Sequence, residues 1–292
     1  MVETELNDNM KKLLFIFIAA LLSLHVAFGQ EYEWRVVPMD ASRTGCTTPS
    51  ADNVETAIGY FKGGKYVAPD GKVYGRNSIV AKTARAVLDA QPKMARVKEV
   101  IAYSTSAMEA HHPESALSNW FIDLLMEQTE KLSGKKVHMG VVNFGGIRVD
   151  MPKGDIILDD MLSMFPFKNQ LVYVEHTGKQ IREILENMAA DRFEVLGGVR
   201  VVADKGKLVS AEIAGEPIDD DKVYGVATIS FLLDGGDGLT LKENAVSVTS
   251  FPEVDVIDAV LEYVYAETAA GRPIEYKADG RVKVNDYKKK RK

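Results

Sequence analysis

The first chemistry in this chain sits in Asn143-Phe144-Gly145-Gly146-Ile147-Arg148. The apolar run Val137 to Val142 leads straight into two adjacent glycines and an arginine. That order reads as a buried strand ending in a loop where the backbone must approach something closely. Arg148 then offers a planar donor fork to an anion or a ring. Further along, Phe165-Pro166-Phe167-Lys168-Asn169 supplies aromatic faces and an amide on a stiffened backbone. Stacking rings beside an amide that reads polar edges suit a nucleobase. A third motif, Asp234-Gly235-Gly236-Asp237-Gly238, closes the apolar run Val223 to Leu233. Its glycines let a loop enclose a ligand, Asp237 is a strong acceptor for sugar hydroxyls, and Phe231 is placed to face Phe167. Alone, each motif also reads as a turn or as core. Their order along one chain is the more specific signal.

No catalytic centre accompanies them. Metal hydrolases cluster His, Asp and Asn ligands. His111, His112, His138 and His176 stand in none of the spacings Asp-x-His, Gly-Asn-His or Gly-His-x-His. His111-His112 precedes Pro113, and adjacent residues rarely ligate one ion. His138 lies in an apolar run and reads as a core or edge histidine. There is no Gly-x-Ser-x-Gly elbow, Walker A loop or Gly-x-Gly-x-x-Gly. Cys46, the single cysteine, has no local Cys/His signature and cannot form an internal disulfide. The residues give a ligand pocket, with no catalytic residue, metal ligand or cofactor assigned.

The elements that must position these motifs follow from patterning. With 46% hydrophobic and 27% charged residues the chain has a globular balance. A net charge of −6 offers no nucleic-acid surface, and the basic run Lys288 to Lys292 reads as a solvated tail. Near the start, Met10-Lys11-Lys12, the apolar Leu13 to Leu24 and Ala27-Phe28-Gly29-Gln30 form a signal-peptide pattern. Residues 1–29 are therefore expected to be removed after Gly29, with Met10 the better start. The apolar run is too short for a membrane span, so export to the periplasm or medium is expected, with no transmembrane segment after cleavage.

Residues 30–96 read as an extension packed on the main domain, with a strand at Tyr32 to Pro38 and a helix at Asn77 to Leu88. Residues 97–284 form the domain proper, and 285–292 the tail. Val97 to Tyr103 is a strand. Glu114 to Leu132 is an amphipathic helix with Leu117, Phe121, Leu124 and Leu125 on its apolar face. Glu114 favours its start. Asn119 and Asp123 share another face and either line a site or serve as caps and solvated groups. A short helix in Asp155 to Met164 is capped by Asp159. Leu171 to Val174 is a strand, and Gln180 to Ala190 a helix. Val199 to Ala203, Leu208 to Ile213 and Val223 to Leu233 are strands. Val254 to Ala270 is a helix and Ile274 to Val284 the closing strand. Alternating strands and helices predict an α/β fold.

From about Val97 to Val284 the chain resembles the C-terminal, substrate-specificity domain of 5′-nucleotidases. The resemblance rests on Glu114 through Asn119 to Asp123, Asn143 to Arg148, Asp155-Ile156 with Pro166 to Asn169, Thr177-Gly178, Gly197-Gly198-Val199, Ala227-Thr228 and Gly235 to Gly238. It implies a layered α/β/β/α-type sandwich with mixed sheets. It also implies that Phe167 and Phe231 sandwich a base and Asn169 reads its edge. Asp237 would bind ribose hydroxyls, Arg148 the ribose or phosphate side, and Asn143 would stand in the same wall. In the family the two-metal catalytic domain precedes this one, and residues 30–96 are too short to be it. The resemblance thus implies a nucleotide- or nucleoside-binding component whose divalent metals and catalysis come from a separately encoded metallophosphoesterase. The alternative is a binding module for a nucleoside or other small ligand with no hydrolase role. Phe144 and Lys168 stand where the family carries glycine, and both are expected to put bulk near the pocket. Pro113 stands where many members carry a substrate-contacting arginine.

Overall fold

Short apolar stretches broken by glycine set the strand boundaries here. The computed structural model describes residues 57–285. The signal peptide, the strand at Tyr32 to Pro38, Cys46 and the basic tail run lie outside the described residues. Three strands, β1 (Tyr60–Lys62), β2 (Lys65–Val67) and β3 (Val73–Tyr74), form a small antiparallel sheet. Helix α1 (Ile79–Ala90), N-capped by Ser78, lays Ala81 and Ala84 against Tyr66. A 3₁₀ segment, Gln91–Lys98, follows. The strand expected from Val97 therefore begins only at β4 (Val100–Ser104).

Helix α2 (Ala116–Ser133) starts later than Glu114, because Ser115 is the cap. Ser115 Oγ accepts from Ser118 N at 3.1 Å, and Ser118 Oγ accepts from Ser115 N at 2.9 Å. The Glu114 carboxylate turns away from the helix. It accepts from the amides of Gly280 at 2.6 Å and Arg281 at 2.9 Å. Leu117, Phe121, Leu124 and Leu125 are all buried, as the spacing predicts.

The chain continues through β5 (Met139–Val142), β6 (Gly154–Ile157) and α3 (Leu158–Met164). Asp160, not Asp159, caps α3, accepting from Ile157 N at 2.8 Å. Then come β7 (Gln170–Thr177), α4 (Gly178–Ala190), β8 (Val195–Gly197), β9 (Val199–Asp204), β10 (Lys207–Ile213), β11 (Glu216–Pro217) and β12 (Val223–Ile229). The run expected to be one strand to Leu233 breaks at Ile229 into a helical turn, α5 (Ser230–Leu233). Strand β13 (Ser247–Asp255), helix α6 (Val256–Ala269) and β14 (Val282–Asn285) complete the described residues. The expected closing strand is short; Ile274 makes only an isolated bridge to Ser104.

The main sheet has the order β13-β7-β12-β5-β8, with β12 and β5 parallel and the other pairs antiparallel. A second sheet runs β11-β10-β9-β14, with β14 parallel to β9. Strands β4 and β6 form an antiparallel pair. Helix α2 packs on β5, β7, β8 and β12 of the main sheet, and α6 packs on α2 and β4. Helix α4 touches β7 of one sheet and β10 of the other. The close fit of α2 needs glycine at two strand positions. A Cβ on Gly140 would lie 2.7 Å from Ile122 and Met126 side-chain atoms, and one on Gly197 would lie 2.6 Å from Met126 Sδ. The result is a layered α/β fold with mixed sheets, of the class the sequence predicts.

Candidate functional site

All three motifs lie where strands of the main sheet or their flanking helices end. Asn143 follows β5, and a 3₁₀ turn, Phe144–Gly146, carries the chain on to Arg148. Arg148 N donates to Met164 O at 3.0 Å, which ties this loop to the end of α3, where Phe165 to Asn169 begins. Asn169 precedes β7, and its carbonyl accepts from Val256 N at 2.7 Å. Strand β12 pairs with β7 so that Ile229 faces Leu171. Phe231 therefore emerges at the edge that carries Asn169. Ser230 Oγ confirms the join by accepting from Gln170 N at 3.1 Å.

A shallow hollow of about 260 Å³, open space included, is lined by Phe121, Asn143, Gly146, Phe165, Phe167, Asn169, Ile229 and Val256. Phe121 and Phe165 stack in it with ring centroids 4.2 Å apart. Phe167 and Phe231 are about half exposed, at 47% and 42%. Two large apolar rings left in solvent near a mainly apolar hollow with two amide side chains in its wall are the feature that core packing does not explain. The Arg148 guanidinium lies 5.9 Å from the Phe167 ring centroid, and its Nη1 donates to Gly145 O at 3.4 Å. Asn143 Nδ2 donates to Asp237 Oδ2 at 2.7 Å, which joins the first motif to the third. Its Oδ1 is buried with no partner among the described residues. Asn143, Phe167 and Asn169 thus share one hollow. Asp237 and Arg148 reach it through direct contacts, whereas Phe231 lies against Gly236, outside the lining.

The glycines serve this arrangement. Neither Gly145 nor Gly146 has a positive φ. Cβ atoms there would lie 3.2 Å from Asn143 Nδ2 and 3.1 Å from Asn143 Oδ1. The group that comes close is the Asn143 side chain, folded back over its own turn. Gly236 leaves room for the Phe231 ring, 2.4 Å from where its Cβ would stand. Asp237 itself holds φ 50, a left-handed conformation that asparagine and aspartate tolerate better than most residues.

Phe144 corrects an expectation. It is buried, at 9% exposure, with its ring 3.9 Å from that of His112. Its bulk turns into the interior and does not line the hollow. Lys168 is exposed. Asn119 is buried, whereas Asp123 pairs with Arg281 at 2.7 Å.

Sequence reasoning missed Glu194. This carboxylate is buried, accepts from Phe144 N at 2.8 Å and pairs with Arg192 at 3.0 Å. Burial pushes its pKa up, with the Asp237 charge adding to the rise against the pull of Phe144 N–H and Arg192. A signal was present: a lone acid inside the apolar run Phe193 to Leu196. His112 Nδ1 lies 3.0 Å from Phe193 O, and burial, with Arg192 near, lowers its pKa. His138 accepts from Gly225 N at 2.9 Å. Among the described residues no three His, Cys, Asp or Glu side chains gather as a metal-ligand set.

A larger concavity, about 750 Å³ with its open mouth, lies over Asp123, Arg200, Asp279 and Arg281. Its arginines are ion-paired to its own aspartates. The smaller hollow, with exposed rings near it, an arginine fork in no ion pair among the described residues and a buried amide oxygen without a partner among them, is the stronger candidate site.

Fold and motifs together describe a layered α/β domain with a candidate ligand hollow at the ends of its strands. The family described as "5′-nucleotidase, C-terminal domain" matches residues 93–243, and the chain belongs to it. Protein UshA of Salmonella pullorum is 35% identical over 130 residues, covering 42% of this chain and 24% of that protein. The trifunctional nucleotide phosphoesterase protein YfkN of Bacillus subtilis (strain 168) is 27% identical over 208 residues, covering 63% of this chain and 14% of that one. The solved 5′-nucleotidase precursor from Thermus thermophilus superposes with a TM-score of 0.62 at 26% identity, over 76% of this chain and 45% of that one. The aligned part thus spans a quarter or less of these two curated relatives.

Proposed function

We propose that this chain is an exported specificity component of a 5′-nucleotidase-type phosphoesterase system, which holds a nucleotide or nucleoside while another chain supplies the two-metal catalysis. The observation that carries this reading is the 2.7 Å bond from Asn143 to Asp237 beside the half-exposed Phe167 and Phe231. It sets a carboxylate for a ribose diol next to rings for a base. Phe167 and Phe231 stack the base, Asn169 reads its edge, Asp237 takes the ribose hydroxyls, and Arg148 meets the ribose or phosphate side. Asn143 holds Asp237 and keeps one acceptor for the ligand. The family, and the nucleotide phosphoesterase activity in the name of its Bacillus subtilis relative, support the substrate class. Export rests on the signal-peptide pattern ending at Gly29.

The test is calorimetry of the purified chain with adenosine and AMP, followed by AMP hydrolysis with added divalent metal. Binding without hydrolysis is expected, with turnover appearing when a metallophosphoesterase chain is added. Hydrolysis by this chain alone would overturn the division of labour. Failure to bind any nucleoside or nucleotide would overturn the pocket.

A further inference from the structure

We propose that Glu194 is a positioning residue for ligand binding: its buried carboxylate holds the Phe144 amide and so sets the turn that joins Asn143, the partner of Asp237, to Arg148. This rests on the nucleoside-binding reading above and adds to it a residue outside the three motifs.

The geometry runs in one chain of contacts. Glu194 Oε2 accepts from Phe144 N at 2.8 Å, and Glu194 Oε1 accepts from Arg192 Nη2 at 3.0 Å. Phe144 is the first residue of the 3₁₀ turn, directly after Asn143. Such a turn leaves its leading amides without internal partners, and Glu194 takes the first. With Phe144 fixed, Ile147 N donates to Phe144 O at 3.0 Å and Gly146 N to Asn143 O at 3.1 Å. Asn143 is then held so that its amide meets Asp237 at 2.7 Å, and Arg148 follows one residue after Ile147. A carboxylate at 5% exposure is costly unless it does such a job. Its neighbours divide the work. Arg192, itself half exposed, supplies a counter-charge, and Asp237 adds a second negative charge nearby. His112 closes the other side of Phe144.

The hydrogen bond, and not the charge, is the part the turn needs. Glu194→Gln keeps an acceptor in place. Glu194→Asp keeps the charge and withdraws the oxygens by one methylene. Glu194→Leu fills the space with no acceptor. Adenosine affinity of the full chain is measured by calorimetry for each, with circular dichroism and Tm as checks of folding. The Leu and Asp variants are expected to bind about tenfold more weakly, the effect of losing one buried hydrogen bond. The Gln variant is expected to bind like the wild type. An Asp variant that binds like the wild type, or a Gln variant as weak as Asp, would overturn the proposal, and neither result depends on the Leu variant folding. A wild-type chain that binds no nucleoside at all would instead overturn the reading beneath it.

Discussion

Phe167 keeps 47% of its surface in solvent, so its contribution to the fold and its contribution to a ligand separate cleanly. Phe167→Ala should change stability by only about 0.5 kcal/mol, as exposed substitutions do. It should weaken adenosine binding by about 1–3 kcal/mol, the worth of one base stacked on a ring. Calorimetry set beside urea denaturation checks both, and parallel losses would mean that the ring is structural. Asp237 behaves differently, because its φ of 50 is strained for any side chain without a local polar partner. Asp237→Gly relieves that strain and Asp237→Ala does not. Both remove the carboxylate and its bond to Asn143 and should lose adenosine and some Tm, but the alanine variant should lose more Tm than the glycine variant. Glu194 adds a pH signature. Its folded pKa lies above the ordinary 4.5, so the folded state holds the proton more tightly. The stability this contributes is complete below pH 4.5 and is lost as pH rises through the raised value. Glu194→Gln cannot ionise and escapes that loss. The difference in Tm between variant and wild type should therefore shift in the variant's favour as pH rises from 4.5; a difference flat with pH would show that burial costs this carboxylate nothing.

Elements carry the motifs, and one family motif turns out to serve an element alone. Thr177-Gly178 opens α4: Thr177 Oγ1 accepts from Gln180 N and Gln180 Oε1 from Thr177 N. A Cβ on Gly178 would stand 1.9 Å from Asp219 O, so the backbone of the loop before β12 must move to admit one. Gly178→Ala should cost about 1–3 kcal/mol in urea denaturation, as overpacked cores do. Gly75→Ala is the control, since nothing lies within 4 Å of its Cβ position. Strongly periodic elements were legible in the sequence: α2, α4 and α6 fall within a few residues of expectation. Boundaries were not, because capping side chains set them. Ser115 caps α2, so the helix begins after Glu114, and Asp160 took the capping role expected of Asp159 in α3. Strand β13 went unseen because it is an edge strand, largely exposed, with a register break that spans Pro252. The site followed the same logic. Asn143, Phe167 and Asn169, named from their motifs, line one hollow, whereas Glu194 bonds Phe144, a neighbour in space that spacing along the chain does not reveal.

At the scale of the whole molecule, the closing segment is fastened to the first large helix through Arg281. Its guanidinium donates to Asp123 Oδ1 at 2.7 Å and Oδ2 at 2.9 Å, and Nε donates to Asp279 Oδ1 at 3.0 Å. Tyr276 bonds the same Asp123 carboxylate, and Glu114 caps the backbone of Gly280 and Arg281. Burial works against the Arg281 charge, but its bonds to Asp123 and Asp279 outweigh burial and hold its pKa above the usual range. Removing one partner of such a pair strands the other. Arg281→Met should cost stability near the low end of the ~3–5 kcal/mol typical of a broken buried pair, because the Asp123 side chain keeps 30% exposure and water can reach it. The effect should also depend on pH. Burial alone would raise the pKa of Asp279, but its bonds to Arg281 prevail and bring it below 3.8. That stabilisation is complete above pH 3.8 and is lost as pH falls through the folded value. Wild type and Arg281→Met should therefore converge in denaturant midpoint as the medium is acidified, and differ most near neutrality. Adding Asp123→Leu to Arg281→Met should recover much of the loss, since an apolar pair of similar volume avoids the stranded charge. A double variant no better than the single one would mean that Arg281 fastens the segment by packing, with Asp123 a bystander.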